Sequence, residues 1–204
     1  MTVASPADDA AMRLALDQAL NAQLAGEVPV GAVVSLRGRV VATGYNRPVT
    51  THDPTAHAEV VALRQAAQLL GNYRLPECEV FVTLEPCAMC AMALLHARVK
   101  RVVFAASDPK TGAAGSVIDL FANARLNHHT AVQGGLMAEP SAALLREFFA
   151  QRRQAWRSRR SAADPGAPHA PTARPAPSDE PIPAGDAIEL HHAFPGLAGM
   201  PDKP

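Results

Sequence analysis

The chain has 204 residues, with 19 basic and 19 acidic side chains and 48% hydrophobic residues. That is too apolar and too evenly charged for a wholly disordered chain. No run of about 18 apolar residues reads as a transmembrane helix, and the first nine residues lack the basic-then-apolar pattern of a secretory signal, so a soluble cytoplasmic protein is expected.

Residues 8–25 read as an amphipathic helix. Met12, Leu16, Ala19, Leu20 and Leu24 recur at helical spacing, Arg13, Asp17 and Asn21 lie opposite, and Gly26 is placed to end it. Residues 28–35 and 39–44, joined through Leu36-Arg37-Gly38, read as a β-hairpin. Residues 45–55, with Asn46-Arg47-Pro48 and His52-Asp53-Pro54, read as a loop. A second helix is predicted over 55–70, stopped by Gly71-Asn72, and a buried strand over 79–84. Pro86 opens a third helix running to Ala97, as a first-turn proline. Residues 101–105 form another strand. A Gly-rich loop at 108–116 leads into a short helix, and 129–134 supply a final strand. Pro140 starts the last helix, whose apolar stripe is Leu144, Leu145, Phe148 and Phe149. Strands alternating with helices after a hairpin indicate an α/β fold. The expectation is a three-layer α/β/α sandwich around a mixed, about five-stranded central sheet.

Composition shifts near residue 160. Of the last 44 residues, 10 are Pro and 10 are Ala, with no helical or strand periodicity. Residues 1–160 are therefore expected to be the folded domain, and 161–204 a disordered tail. Ile188, Leu190, Phe194, Leu197 and Met200 are the tail's candidates for a short docking element. The tail carries a net charge of −4 and the body +4. A mildly basic body suits an anionic partner.

The three cysteines are Cys78, Cys87 and Cys90. An odd count with one Cys-x-x-Cys pair argues against a disulfide scaffold and leaves a redox pair or a metal site. Cys87 and Cys90 lie three apart at a helix start, so both thiols project from one face, and the partial positive charge there favours thiolates. His57, at the start of its own helix, offers a neutral imidazole nitrogen. Three such ligands leave one tetrahedral position open, the catalytic rather than the structural arrangement for zinc. Glu59 is placed to approach that position and accept a proton from water. A redox pair would leave His57 and Glu59 without a role. A structural zinc site would need a fourth ligand, and Cys78 belongs at the far end of its strand, as a small buried side chain. H-x-E followed by P-C-x-x-C is the signature of zinc nucleobase deaminases.

Several further segments carry a closer resemblance: Glu27-Val-Pro-Val-Gly-Ala-Val33, Asn46-Arg-Pro48, His52-Asp-Pro-Thr-Ala-His-Ala-Glu59, Asn72-Tyr-Arg-Leu75, Val82-Thr-Leu-Glu-Pro-Cys-Ala-Met-Cys90, Arg101-Val-Val-Phe104 and the loop Asp108-Pro-Lys-Thr-Gly-Ala-Ala-Gly-Ser116. Together, over residues 10–160, they resemble the bacterial tRNA-specific adenosine deaminases; the tail has no counterpart. The resemblance implies the cytidine-deaminase-like fold, a homodimer, and conversion of adenosine to inosine at the wobble position of a tRNA anticodon. It implies one zinc per chain on His57, Cys87 and Cys90, with Glu59 as the proton shuttle and no organic cofactor or membrane association. It places Asn46, Val28, Pro29, Ala58 and Asp108 against the substrate, and Phe148 and Phe149 near the flanking nucleotides.

Each of the outer contacts also has a plainer role. Asn46 can cap its loop, and Val28 and Pro29 can simply begin a strand. Asp108-Pro109 is a common turn pair, and the phenylalanines can be core. Arg152, Arg153, Arg157, Arg159 and Arg160 can touch RNA phosphate or complement the last helix dipole. The expected chemistry is hydrolytic attack at C6 of an adenine splayed from its strand, with Glu59 moving protons to N1 and then to the leaving amine. The alternative is a free nucleobase or nucleoside deaminase, acting on guanine or cytosine through the same motif.

Overall fold

The chain folds as α1 (Pro6–Leu24), β1 (Gly31–Leu36), β2 (Arg39–Tyr45), α2 (Pro48–Thr51), α3 (Ala58–Leu70), β3 (Cys78–Leu84), α4 (Ala88–His96), β4 (Arg101–Ala106), β5 (Ala131–Gly134) and α5 (Ala138–Ala163). This computed structural model describes residues 4–163. Of the expected tail, only 161–163 are described, as the last turn of α5. The remainder, with Ile188, Leu190, Phe194, Leu197 and Met200, lies outside the described residues.

Helix α1 opens with a capping box. The Ser5 hydroxyl accepts from the Asp8 N–H at 3.2 Å, the Asp8 carboxylate accepts from the Ser5 N–H at 3.0 Å, and Pro6 occupies the first turn. Its buried face keeps Met12 and Ala19 of the expected stripe, leaves Leu16 half-buried, and otherwise consists of alanines instead of Leu20 and Leu24. Ala11, Met12, Ala15, Ala19 and Ala22 face inward, whereas Leu20 and Leu24 are exposed. Gly31 supplies the reason. A Cβ on it would meet Ala15 O at 2.1 Å and Ala19 N at 2.5 Å, so α1 lies directly on the β1 backbone and admits only small side chains at the contact.

The hairpin forms as expected, turning at Arg37 (φ 51°) and Gly38 (φ 76°). Two successive left-handed residues match the strands' right-handed twist. The strand begins at Gly31 rather than 28. The segment expected to be a loop holds the short helix α2, with Pro48 in its first turn and the Thr51 hydroxyl donating to Arg47 O at 2.7 Å.

Helices α3 and α4 start later than expected because His57 and Cys87 are extended N-caps, with ψ of 153° and 171°. Pro86 therefore precedes the cap instead of sitting in the first turn. The short helix expected after residue 116 does not form. The Asp119 carboxylate accepts from the Ala122 N–H at 2.9 Å, and Asn123 Oδ1 from the Arg125 N–H at 3.0 Å. Such local bonds give the backbone an alternative to helix.

The sheet order is β2-β1-β3-β4-β5, antiparallel at β1–β2 and β1–β3, parallel at β3–β4 and β4–β5. Alternate residues face opposite ways. Ala32, Val34, Val80, Val82, Val102 and Phe104 pack under α3 and α4. Val33, Phe81, Val103 and Ala105 pack under α1 with Leu136 and Met137, and Ser141 at the start of α5 donates its hydroxyl to Thr83 O on that side. This is the expected three-layer sandwich with five strands. Strands β3 and β4 are buried on both faces, which is why they read as continuous apolar runs. At their carboxyl ends Leu84 pairs with Ala106. The chain runs on from one to Cys87 and from the other to Asp108, at the sheet edge where α/β folds place their ligands.

Candidate active site

N-cap positions favour Ser, Thr, Asp and Asn, whose oxygens satisfy the first helical N–H groups. Helices α3 and α4 instead carry His57 and Cys87 there, and neither side chain makes a cap hydrogen bond. Both are turned to another use. His57 Nδ1 lies 3.7 Å from Cys87 Sγ and 3.6 Å from Cys90 Sγ, one turn further along α4. One ligand atom from each of the three residues falls within 4.8 Å of the others. Ligand-to-ligand separations of this size are those that a tetrahedral ion with bonds of about 2.0–2.3 Å spans, and two sulfurs with one imidazole are a donor set suited to zinc. Both helix N-termini point their partial positive charge at the same place.

The close approach of these groups perturbs each of them. The Cys87 thiol is held down to about 4 by hydrogen bonding with Cys90 and with His57, against its burial. Cys90 is pushed up, first by Cys87 and then by burial. The two sulfurs thus compete for one negative charge. The His57 imidazole is pushed up by its hydrogen bond with Cys87. Glu59, the second residue of α3, is 4% exposed, and burial together with the Cys87 charge raises its carboxyl above the usual range. The charges of Cys87 and His57 both act on it, so it lies beside the cluster. The arrangement therefore brings the four residues read from the two motifs into one partly buried group.

The outer residues fall less uniformly. Asn46 is buried, and its Oδ1 accepts the Ala58 N–H at 2.9 Å. It supplies, from another segment, the cap that His57 does not. The Asn46 amide nitrogen has no partner among the described residues. Ala58 itself is fully buried. Pro29 is buried and Val28 half-buried, in the extended stretch before β1. Beside them, buried Glu27 accepts the Thr50 N–H at 2.7 Å and so ties this wall to α2. Asp108 is a turn residue: its carboxylate accepts from the Lys110 N–H at 2.9 Å and from the Thr111 hydroxyl at 2.7 Å. Phe148 is buried and meets the exposed Phe149 edge-on, with ring centroids 5.5 Å apart. The five α5 arginines are all exposed, and Arg152 donates to Gly26 O at 2.6 Å. Cys78 is buried at the start of β3, far from the cluster in its strand.

Glu85 carries no mark in the sequence beyond being a charge where an apolar strand ends. In the fold it is 2% exposed and forms the hub of the 108–116 loop.

Residues 5–106 match the family description "Cytidine and deoxycytidylate deaminase zinc-binding region". The tRNA-specific adenosine deaminase of Haemophilus influenzae is 47% identical over 153 residues, covering 74% of this chain and 88% of that protein. A solved structure from work on A-to-I editing by tRNA:A34 deaminases at the wobble position of transfer RNA matches with a TM-score of 0.65 and 44% identity, covering 67% of this chain and 99% of that one. A guanine deaminase from Nitrosomonas europaea matches with a TM-score of 0.63 and 28% identity, over 74% of this chain and 87% of that one.

Proposed function

The chain belongs to the zinc-binding cytidine and deoxycytidylate deaminase family, alongside the tRNA-specific adenosine deaminases, and on that premise we propose that it hydrolytically converts adenosine to inosine at the wobble position of a tRNA anticodon. The observation that carries the proposal is the His57–Cys87–Cys90 cluster at two facing helix starts, with the buried Glu59 carboxyl beside it. His57, Cys87 and Cys90 would hold one zinc per chain. Bound there, it supplies Lewis-acid activation that makes water a nucleophile near neutral pH.

Glu59 is the catalytic acid and base. Its carboxylate takes a proton from the attacking water and passes it to N1 of the adenine; after attack at C6 it takes the second proton from the new C6 hydroxyl and gives it to the departing amine, so that the C6 carbonyl forms as ammonia leaves. Burial raises the affinity of this carboxylate for a proton. Asn46 spends its oxygen on Ala58 and offers its amide N–H groups to the base. Half-buried Val28 forms the wall the base packs against, with the buried Pro29 and Ala58 supporting it, and the loop containing Asp108 lies along the flanking strand.

The partner is an anticodon stem-loop, and the active form is a homodimer in the cytoplasm. Tyr73, Met92, Leu95 and Leu126 line one open groove of about 220 Å³ together with Arg74, His96, Arg98, Asn127 and His128, and Leu69, Leu70 and Tyr73 are exposed apolar side chains that a second copy would cover. No helix among the described residues is long and apolar enough to cross a membrane. Residues 1–160 make the catalytic domain, and the tail adds nothing to its chemistry. The deciding assay offers the protein an anticodon stem-loop, free guanine and free cytosine. Inosine in the loop is expected. Deamination of a free base with none in any anticodon loop would promote the guanine or cytosine alternative.

A further inference from the structure

The carboxylate of Glu85 is nearly inaccessible to water, yet among the described residues no cation pairs with it. Burying a charge is expensive unless donors replace the lost water. Here the donors all come from one segment. Glu85 Oε2 accepts from the Asp108 N–H at 2.9 Å, and Oε1 accepts from the Ala114 N–H at 2.9 Å and the Ser116 N–H at 3.1 Å. The Ser116 hydroxyl also donates to Oε2. Both ends of the loop therefore converge on one side chain. The middle is fitted to it as well: a Cβ on Gly112 would lie 2.5 Å from Glu85 Cδ. Two backbone contacts complete the clamp, a β-bridge between Gly112 and Cys87 and the Ala113 N–H donating to Pro86 O at 2.8 Å.

The loop has no helix or strand of its own to hold its shape, and a buried carboxylate that serves only this segment is a costly device for ordinary packing. Its position explains the cost. The loop leaves the carboxyl end of β4 beside the turn that carries Cys87 from β3. Anything bound at the cluster would meet this loop at its rim. We infer that Glu85 is a positioning residue for RNA recognition: it fixes the 108–116 loop against the Cys87 turn, so that the loop presents a preformed backbone to the strand flanking the target base. The inference rests on the deaminase reading above and adds to it the group that sets the affinity of the loop for the substrate. A loop left to order itself on binding would charge that ordering against affinity and leave the chemical step alone.

The test is Glu85→Gln in the full chain, which replaces an acceptor by a donor among donors. Gly112→Ala attacks the same clamp from the other side, and Ser116→Ala removes one of its donors. In Glu85→Gln, amide hydrogen exchange at residues 108–116 should accelerate while metal analysis still finds one zinc per chain. The KM for an anticodon stem-loop should rise roughly 10-fold, the value of about one charged-group hydrogen bond, with kcat little changed. Gly112→Ala should reproduce this profile, Ser116→Ala should shift KM in the same direction by less, and Glu85→Gln/Gly112→Ala should be no worse than the poorer single variant. A fall in kcat at unchanged KM, or loss of zinc with the loop still protected, would overturn the inference and assign Glu85 to the metal-bearing turn. If Glu85→Gln does not fold, unchanged KM in both other variants overturns it. Should the wild-type chain form no inosine in any anticodon loop, the functional reading fails by itself. The clamp is then still judged by amide exchange, and unchanged exchange in the variants refutes it.

Discussion

Asn46→Ala removes the oxygen that accepts the Ala58 N–H at the start of α3. Ala58 itself has no exposed surface. A buried N–H left without an acceptor costs about 1–3 kcal/mol, in line with the ~1 kcal/mol typical of a lost N-cap. At ~2–4 °C per kcal/mol for a domain of this size, the melting temperature should fall by roughly 3–10 °C. The same substitution removes the amide donors offered to the base, and a lost substrate hydrogen bond of ~1.5–3 kcal/mol lowers kcat/KM by about 10- to 100-fold. Asn46→Asp separates the two roles. It keeps an acceptor for Ala58, at a helix N-terminus where negative charge is favoured, but has no N–H to give. It should melt near the wild-type temperature and still lose turnover. Thermal unfolding of both variants, with inosine formation on an anticodon stem-loop, measures each role. Normal turnover in Asn46→Asp would show that the amide nitrogen does not serve the base, and an unchanged melting temperature in Asn46→Ala would show that the cap is energetically idle.

Glu59→Gln should retain one zinc per chain and lose at least about 10²-fold in turnover, the contribution expected of a general base. Cys87→Ala should lose the metal itself; metal analysis of the pair checks both, and full zinc in the cysteine variant removes it from the ligand set. Asp8 sets an acid-side dependence of stability. Burial raises its carboxyl, but bonds from Arg101 and Ser5 outweigh this and leave it below its ordinary 3.8. Because the folded value is depressed, the contribution is fully present above pH 3.8 and is lost as the pH falls through the lower folded value. The melting temperatures of wild type and Asp8→Asn should therefore differ by a constant amount above about pH 5 and begin to converge below pH 4, and parallel curves down to pH 3 would remove the Asp8 carboxylate from acid stability. Truncation after Ala163 should leave melting temperature and turnover unchanged, and a clear drop in either would give the Pro/Ala-rich tail a structural or catalytic part.

The residues of the candidate site are legible as a group because their spacings are short. His57 and Glu59 are two apart, and Cys87 and Cys90 are three apart behind a proline. The central strands were legible because burial on both faces leaves no polar residue in them from Val80 to Val82 or from Val102 to Ala106. Helix starts were misjudged by two or three residues for a physical reason: at 57 and 87 the cap positions hold side chains chosen for the site, so the usual capping signals are missing. The burial stripe of α1 was misjudged because a glycine on another element decides it. A leucine pattern cannot register how close Gly31 lets the helix come.

What spacing alone could not supply is the meeting of His57 with two sulfurs 30 and 33 residues away, which needs α3 and α4 packed side by side over β1 and β3. Nor could it supply Asn46 reaching 12 residues forward to cap α3, or Glu85 gathering N–H groups from 23 to 31 residues away. Local sequence selects the donors and the backbone conformations, since those depend on neighbours a few residues apart. Which donor meets which acceptor across the sheet is fixed only when the layers close, because burial then removes the water that would otherwise satisfy each group.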